Sequence, residues 1–205
     1  QMVDPSVLGI LARVYADGAF AAEGRLESVD GALDGEEWID GTIPGLVRVA
    51  ECERPFGLSP NPIMRGARIN LSCRVAGDYV EGSLLEQGGG GTGYALYVKD
   101  GNITLSVRND GQLHRAVVPF PPNPGQDFRL EGSYDGARVT LGIDGGESDS
   151  VPFDPPLHGF TRQPEEGTVH ILRSYKNPVD EEQPPGRCET KLWDLRIDYS
   201  VLPSG

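Results

Sequence analysis

Basic residues are scarce in this chain: Lys and Arg number 18 against 31 Asp and Glu, a formal net charge of −13. A nucleic-acid binder draws its affinity from clustered Lys and Arg set against phosphates, so no nucleic-acid partner is expected. Long apolar runs are missing too. Nothing nears the roughly 18–20 residues of a helical membrane span, and no membrane partner is expected. Cysteine is limited to Cys52, Cys73 and Cys188. An odd count cannot pair fully within one chain. Reduced thiols are the favoured expectation, with one disulfide and one free thiol as the alternative. Their spacing fits no C-x₂₋₄-C zinc pattern. What the chain has in excess is Gly (28) and Pro (17), which opposes long helices. Its 205 residues suit one domain with at most a short appendage.

The first segment reads as helix. Asp4 suits an N-cap and Pro5 the first helical position, while Leu8, Leu11, Ala12 and Tyr15 recur at one-face spacing. Asp17-Gly18 ends it, and an acidic, Gly-punctuated stretch follows. Residues 2–41 are therefore expected to form a helical and loop appendage to a β domain over 42–202. The opening residues carry neither the basic nor the apolar part of a secretory signal. The expectation is a cytoplasmic protein, or part of a larger secreted one.

From residue 42 onward the pattern is β. A short strand is expected over 47–51. Over 67–75, Ile69, Leu71, Cys73 and Val75 alternate with Arg68, Asn70, Ser72 and Arg74. Then Tyr94, Leu96 and Val98 alternate with Ala95, Tyr97 and Lys99, and Asp100-Gly101 leads into a second alternating run. Asp110-Gly111, Asp135-Gly136 and Asp144-Gly145 repeat the device. Asp-Gly between alternating runs marks a tight hairpin, because type I′ turns need positive φ at both central residues. A Pro-rich loop over 151–167, a strand over 168–173, an acidic loop over 177–186 and a closing strand over 190–199 complete the reading. Short strands at this spacing with turn chemistry between them predict an all-β antiparallel β-sandwich, preceded by the short N-terminal helix.

These strands carry recognisable text. Gln87 to Gly101, reading QGGGGTGYALYVKDG, resembles the central hairpin of the laminin-G-like, concanavalin A-like jelly rolls. The run from Tyr134-Asp135-Gly136 to Asp144-Gly145 and the final Trp193 to Tyr199 are similar to further strands of that superfamily. In more detail, the text resembles the β-sandwich at the C-terminal end of bacterial arylsulfatases, through Arg54-Pro55-Phe56-Gly57, Gly82 to Gln87 and the same hairpin. The likeness covers roughly residues 54–200 and leaves residues 2–50 outside it. It implies the accessory part of such a protein alone. Sulfatases carry their catalytic cysteine as Cys-x-Pro-x-Arg, and none of Cys52, Cys73 and Cys188 lies in that context.

Chemistry-bearing motifs are few. Gly88, Gly90 and Gly93 spell G-x-G-x-x-G, but a strand follows where a phosphate-binding turn needs a helix. His114, His158 and His170 are scattered, and there is no Gly-x-Ser-x-Gly elbow. The Glu-x-Asp-x-x-Glu strand of concanavalin A-like glucanases is absent. Calcium is the metal the acidic loops suit best, because it takes carboxylate and carbonyl oxygens. Asp180, Glu181 and Asp78 are its candidate ligands, against the plainer reading of solvated acidic loops. A glycan site needs exposed aromatics for stacking. Tyr97, Trp38 and Tyr175 are the candidates, with Tyr97 expected on an exposed face. The favoured function is a non-catalytic accessory or interaction module with a glycan or protein partner, an oligomer included. A polysaccharide hydrolase or lyase and a structural assembly protein are the alternatives.

Overall fold

The computed structural model describes side chains for residues 68–121, 125–144, 146–161, 170, 172, 174, 176–186, 188–190 and 192. The remaining strand residues named below are described as backbone alone. In chain order the strands are β1 (Ile10–Val14), β2 (Ala19–Arg25), β3 (Trp38–Asp40), β4 (Thr42–Arg48), β5 (Phe56–Gly57), β6 (Arg68–Val75), β7 (Gly82–Gly88), β8 (Gly93–Lys99), β9 (Asn102–Asn109), β10 (Gln112–Pro119), β11 (Phe128–Tyr134), β12 (Arg138–Ile143), β13 (Ser148–Pro152), β14 (Thr168–Ile171) and β15 (Lys191–Ser200).

They form two antiparallel sheets. One has nine strands and runs β1-β2-β15-β6-β11-β12-β13, with β3 beside β2 and β4 beside β15. The other has six strands, ordered β10-β9-β8-β7-β14-β5. After β6 the chain crosses to the six-stranded sheet for β7 to β10 and returns for β11 to β13. It crosses again at β14 and closes in β15 beside β6. This is a jelly-roll β-sandwich, as the alternation predicted.

The inner faces pack as the period-two pattern requires. Ile69, Leu71, Cys73 and Val75 of β6 are buried, whereas Asn70 and Arg74 between them are exposed. From the opposite sheet Tyr94, Leu96, Val98, Ile103, Leu105 and Val107 enter the same core. Each fully buried Leu or Ile contributes about 1.5–3 kcal/mol of transfer free energy. Gly132 marks the tightest approach: a Cβ there would stand 2.9 Å from Leu105 Cδ2 and 3.0 Å from Leu71 Cδ1.

Two expectations need correction. The segment read as an N-terminal helix includes Ile10–Val14, which is strand β1, paired antiparallel with β2 (Val14 opposite Phe20). Asp17-Gly18, read as the end of that helix, lies outside the described residues. Period-two alternation of Ile10, Ala12 and Val14 competes with the helical spacing, and pairing to a neighbour favours the strand. The N-cap residues Asp4 and Pro5 lie outside the described residues. The second correction concerns β8. It does not alternate between buried and exposed, for it is buried up to Val98, and neighbouring β7 is buried throughout. Something covers their outer face.

Candidate functional site

The cover is a loop. Ser174 N–H donates to Gly186 O at 2.9 Å, and Gly186 N–H donates to Ser174 Oγ at 2.8 Å. These bonds pin the two ends of an Ω-like loop, residues 174–186, here called the strap. It lies on the outer face of the six-stranded sheet, where Val179 packs with Ala95 and Tyr97 as a small apolar cluster separate from the main core. Gly93 allows the approach, because a Cβ there would sit 2.8 Å from Val179 Cγ2.

Polar contacts hold the strap down. Asp180, fully buried, accepts two hydrogen bonds from Arg115: Nε to Oδ2 at 2.7 Å and Nη2 to Oδ1 at 2.6 Å. Tyr97 donates its hydroxyl to the same Oδ2 at 2.9 Å, and Glu182 N–H reaches Oδ1 at 3.0 Å. Arg108 donates Nε to Val179 O at 2.6 Å and Nη2 to Glu181 at 2.6 Å. Buried Glu86 accepts Val179 N–H at 3.0 Å, and Gln183 Nε2 donates to Ser83 Oγ at 2.8 Å. Burial alone would raise the Asp180 pKa. The Arg115 guanidinium, the Glu182 N–H and the Tyr97 hydroxyl outweigh it and hold the carboxyl below its ordinary value of 3.8. Tyr97 is pushed well above its ordinary range, first by burial and then by the Asp180 charge.

The structure thus brings two candidates together and separates the rest. Tyr97 was expected to be exposed; it is 2% exposed, because the strap covers it. It therefore offers no exposed stacking platform. Asp180 spends both carboxylate oxygens on Arg115, Tyr97 and Glu182, so a calcium ion there would have to displace Arg115. Glu181 is exposed and pairs with Arg108. Asp78 is exposed just after β6. Among the described residues no group of three or more His, Cys, Asp or Glu is arranged to hold a metal ion. Trp38 is in strand β3, described as backbone alone, and Tyr175 lies outside the described residues. Sequence reasoning missed Arg115, Arg108 and Glu86. A strand arginine looks like surface until its acidic partner is known, and here the partner lies 65 residues away.

A second feature is open to solvent. On the outer face of the nine-stranded sheet, β6, β11, β12 and β13 line a groove of about 590 Å³. Asn70, Ser72, Arg129, Glu131, Ser133, Thr140 and Ser148 contribute hydrogen-bonding groups to it. Arg129 bridges the floor, its Nε 3.3 Å from Glu131 and its Nη2 3.3 Å from Ser72 Oγ. Arg74 stands directly opposite Arg129 in the β6–β11 register. The polar side of the β6 alternation was the sequence signal for this face.

No protein-family model and no curated protein matches the sequence. Among solved structures, the chain is similar to the mouse laminin alpha1 chain, domains LG4-5, at 16% identity and TM-score 0.49 over 63% of this chain and 34% of that one. It is similar to a heptameric SAP-like pentraxin from Limulus polyphemus at 16% identity and TM-score 0.44, over 65% of this chain and 64% of that one. It is also similar to the receptor binding domain of a botulinum neurotoxin C/D mosaic serotype, at 11% identity and TM-score 0.48, over 94% of this chain and 42% of that one. The chain spans less than two thirds of the length of each. Likeness at this level carries nothing about activity or partner.

Proposed function

We propose that the chain is a non-catalytic binding module whose open groove on the nine-stranded sheet takes a glycan. The observation that carries this reading is the lining: Asn, Ser, Thr and Arg side chains present donors and acceptors across about 590 Å³ of open concavity. Sugar hydroxyls are matched by such groups. Arg129, paired with Glu131 at 3.3 Å, sets a charged donor among these groups that suits hydroxyls and anionic substituents such as sulfate. Glycosidase chemistry needs two carboxyl groups about 5–9.5 Å apart. Glu131 supplies the single carboxylate among the described lining residues, so binding rather than hydrolysis is the better reading. The likeness of residues 54–200 to the C-terminal sandwich of arylsulfatases supports an accessory role beside an enzyme.

The test is an array of neutral and sulfated glycans probed with the whole chain, followed by titration of any hit against Arg129→Ala and Ser133→Ala. The reading expects a hit that both substitutions weaken while the unfolding midpoint stays within experimental error. No hit, or a hit indifferent to both, overturns it.

A further inference from the structure

We propose that the outer face of the six-stranded sheet is a second ligand site. Arg115 and Tyr97 form its carboxylate pocket, Asp180 of the strap fills that pocket in cis, and the ligand is an acidic sugar that displaces the strap.

The pocket has the parts of a carboxylate receptor. A guanidinium meets both oxygens at 2.6 and 2.7 Å, and a tyrosine hydroxyl caps one of them at 2.9 Å. Bidentate pairing of this kind selects planar carboxylates by geometry as well as by charge. Its present occupant is carried by a loop whose described residues make no strand pairing. The strap's contacts to the sheet are side-chain hydrogen bonds and one small apolar cluster, and its ends are already closed by Ser174 and Gly186. Lifting it breaks no sheet ladder.

Exchange also keeps the central buried pair. Lifting the strap takes from Arg115 both Asp180 and the looser contact to Glu182 at 3.5 Å, and takes Glu181 from Arg108. A ligand carboxylate restores the bidentate pair at Arg115, while Glu181 and Glu182, both exposed, return to solvent, where such pairs contribute little.

The surroundings favour a sugar. Ser83, Thr104, Ser106 and Gln183 are all buried beneath or within the strap and carry hydroxyl and amide groups. Buried Glu86 stands in one lateral row with Ala95, Ser106 and Arg115 through the register of β7, β8, β9 and β10. Among the described residues, Gln183 Oε1 is buried with no hydrogen-bond partner, an acceptor left over on this face. Beside its one small apolar cluster, this cover buries hydroxyl, amide and carboxylate groups next to a filled carboxylate pocket.

The affinity of the native chain is reduced by the fraction of time the strap is closed. The experiment compares trigalacturonate, uncharged galactotriose and an acidic tripeptide by calorimetry against the native chain, Asp180→Ala and Asp180→Ala/Arg115→Met. Asp180→Ala is expected to bind trigalacturonate at least about tenfold more tightly than the native chain does. It is expected to prefer the acid to the neutral trimer by a similar factor, and the double variant is expected to lose that preference. Equal binding of acid and neutral trimers by a folded Asp180→Ala overturns the proposal, as does a preference that survives Arg115→Met. Tighter binding of the acidic tripeptide overturns the assignment to a sugar. Hydrogen exchange on the native chain gives an independent reading should Asp180→Ala fail to fold. The Val179 and Glu182 amides are expected to open well before the β8 and β9 amides. Opening only with global unfolding overturns the strap's mobility and with it the site.

Discussion

Tyr97 and Asp180, 83 residues apart in the chain, share a buried hydrogen bond of 2.9 Å between the tyrosine hydroxyl and Oδ2. That bond ties the middle of a sheet to the middle of a loop. Asp180 keeps its two Arg115 contacts and the Glu182 N–H when the hydroxyl is removed. Tyr97→Phe is therefore expected to cost about 1.5–3 kcal/mol, the range for one hydrogen bond to a charged acceptor. Urea unfolding with an unchanged slope checks it, and an unaltered midpoint would mean the contact contributes nothing.

The same carboxylate sets an acid limit. The folded pKa of Asp180 is lowered below 3.8, because the hydrogen bonds from Arg115, Glu182 and Tyr97 outweigh burial. A lowered folded pKa contributes stability that is present above the unfolded pKa and is lost as pH falls through the folded one. The stability gap between the native chain and Asp180→Asn is expected to stay level from neutral pH down to the ordinary value of 3.8 and to shrink below it. Denaturant midpoints across that range decide the matter. A gap that narrows well above 3.8, or fails to narrow in acid, contradicts the assignment.

Two thiols should be silent. Burial pushes Cys73 up to about 12, with Arg129 opposing, and pushes Cys188 up to about 11, with a backbone hydrogen bond from Thr190 opposing. Both are free and buried. The thiolate is the reactive form. In a Cys52→Ser background, Ellman's reagent at about pH 8 is expected to find no fast-reacting thiol until urea unfolds the chain, and then two. A prompt reaction in the native state would place one of them at the surface.

Much of this fold could be read from local rules. The alternation over β6 gave its buried face residue by residue. The hairpin turns followed from their chemistry: Asp100 and Gly101 have φ of 50° and 75°, and Asp110 and Gly111 have 50° and 80°. Non-local facts escaped. Alternation put Tyr97 on the face of Ala95 and Lys99, which is the outer face, but nothing local says that a loop 80 residues later will cover it. The pairing of Arg115 with Asp180 has the same cause. Near the N-terminus two periodicities overlapped, and the partner strand decided between them. In β15 the register pairs Trp193 with Arg74 but Ile197 with Leu71, with an irregularity between. Simple alternation, which would group Trp193 with Ile197, cannot anticipate such a shift. The open groove was visible only as the polar half of each alternation, because its concavity depends on how four strands lie together.

Two turns with the same Asp-Gly text give the sharpest contrast between local and tertiary cost. Gly101 and Gly136 both sit at positive φ, 75° and 91°. An alanine at either position meets the left-handed strain of about 1–2 kcal/mol. At Gly101 a Cβ would find nothing within 4 Å. At Gly136 it would lie 2.0 Å from Gly159 N and 2.3 Å from His158 C, backbone atoms that cannot swing aside. The loop they belong to is itself held down, since Gly159 O accepts from Asn109 Nδ2 at 2.8 Å and Leu157 N–H donates to Gly136 O at 2.8 Å. Gly101→Ala is therefore expected to cost about 1–2 kcal/mol. Gly136→Ala should cost more than twice as much, about 4 kcal/mol or above, and displace the loop from Asn109. Urea midpoints for the pair are the check. Equal losses would show that the 158–161 loop yields freely and that its packing on the Asp135-Gly136 turn adds nothing to the turn's own strain.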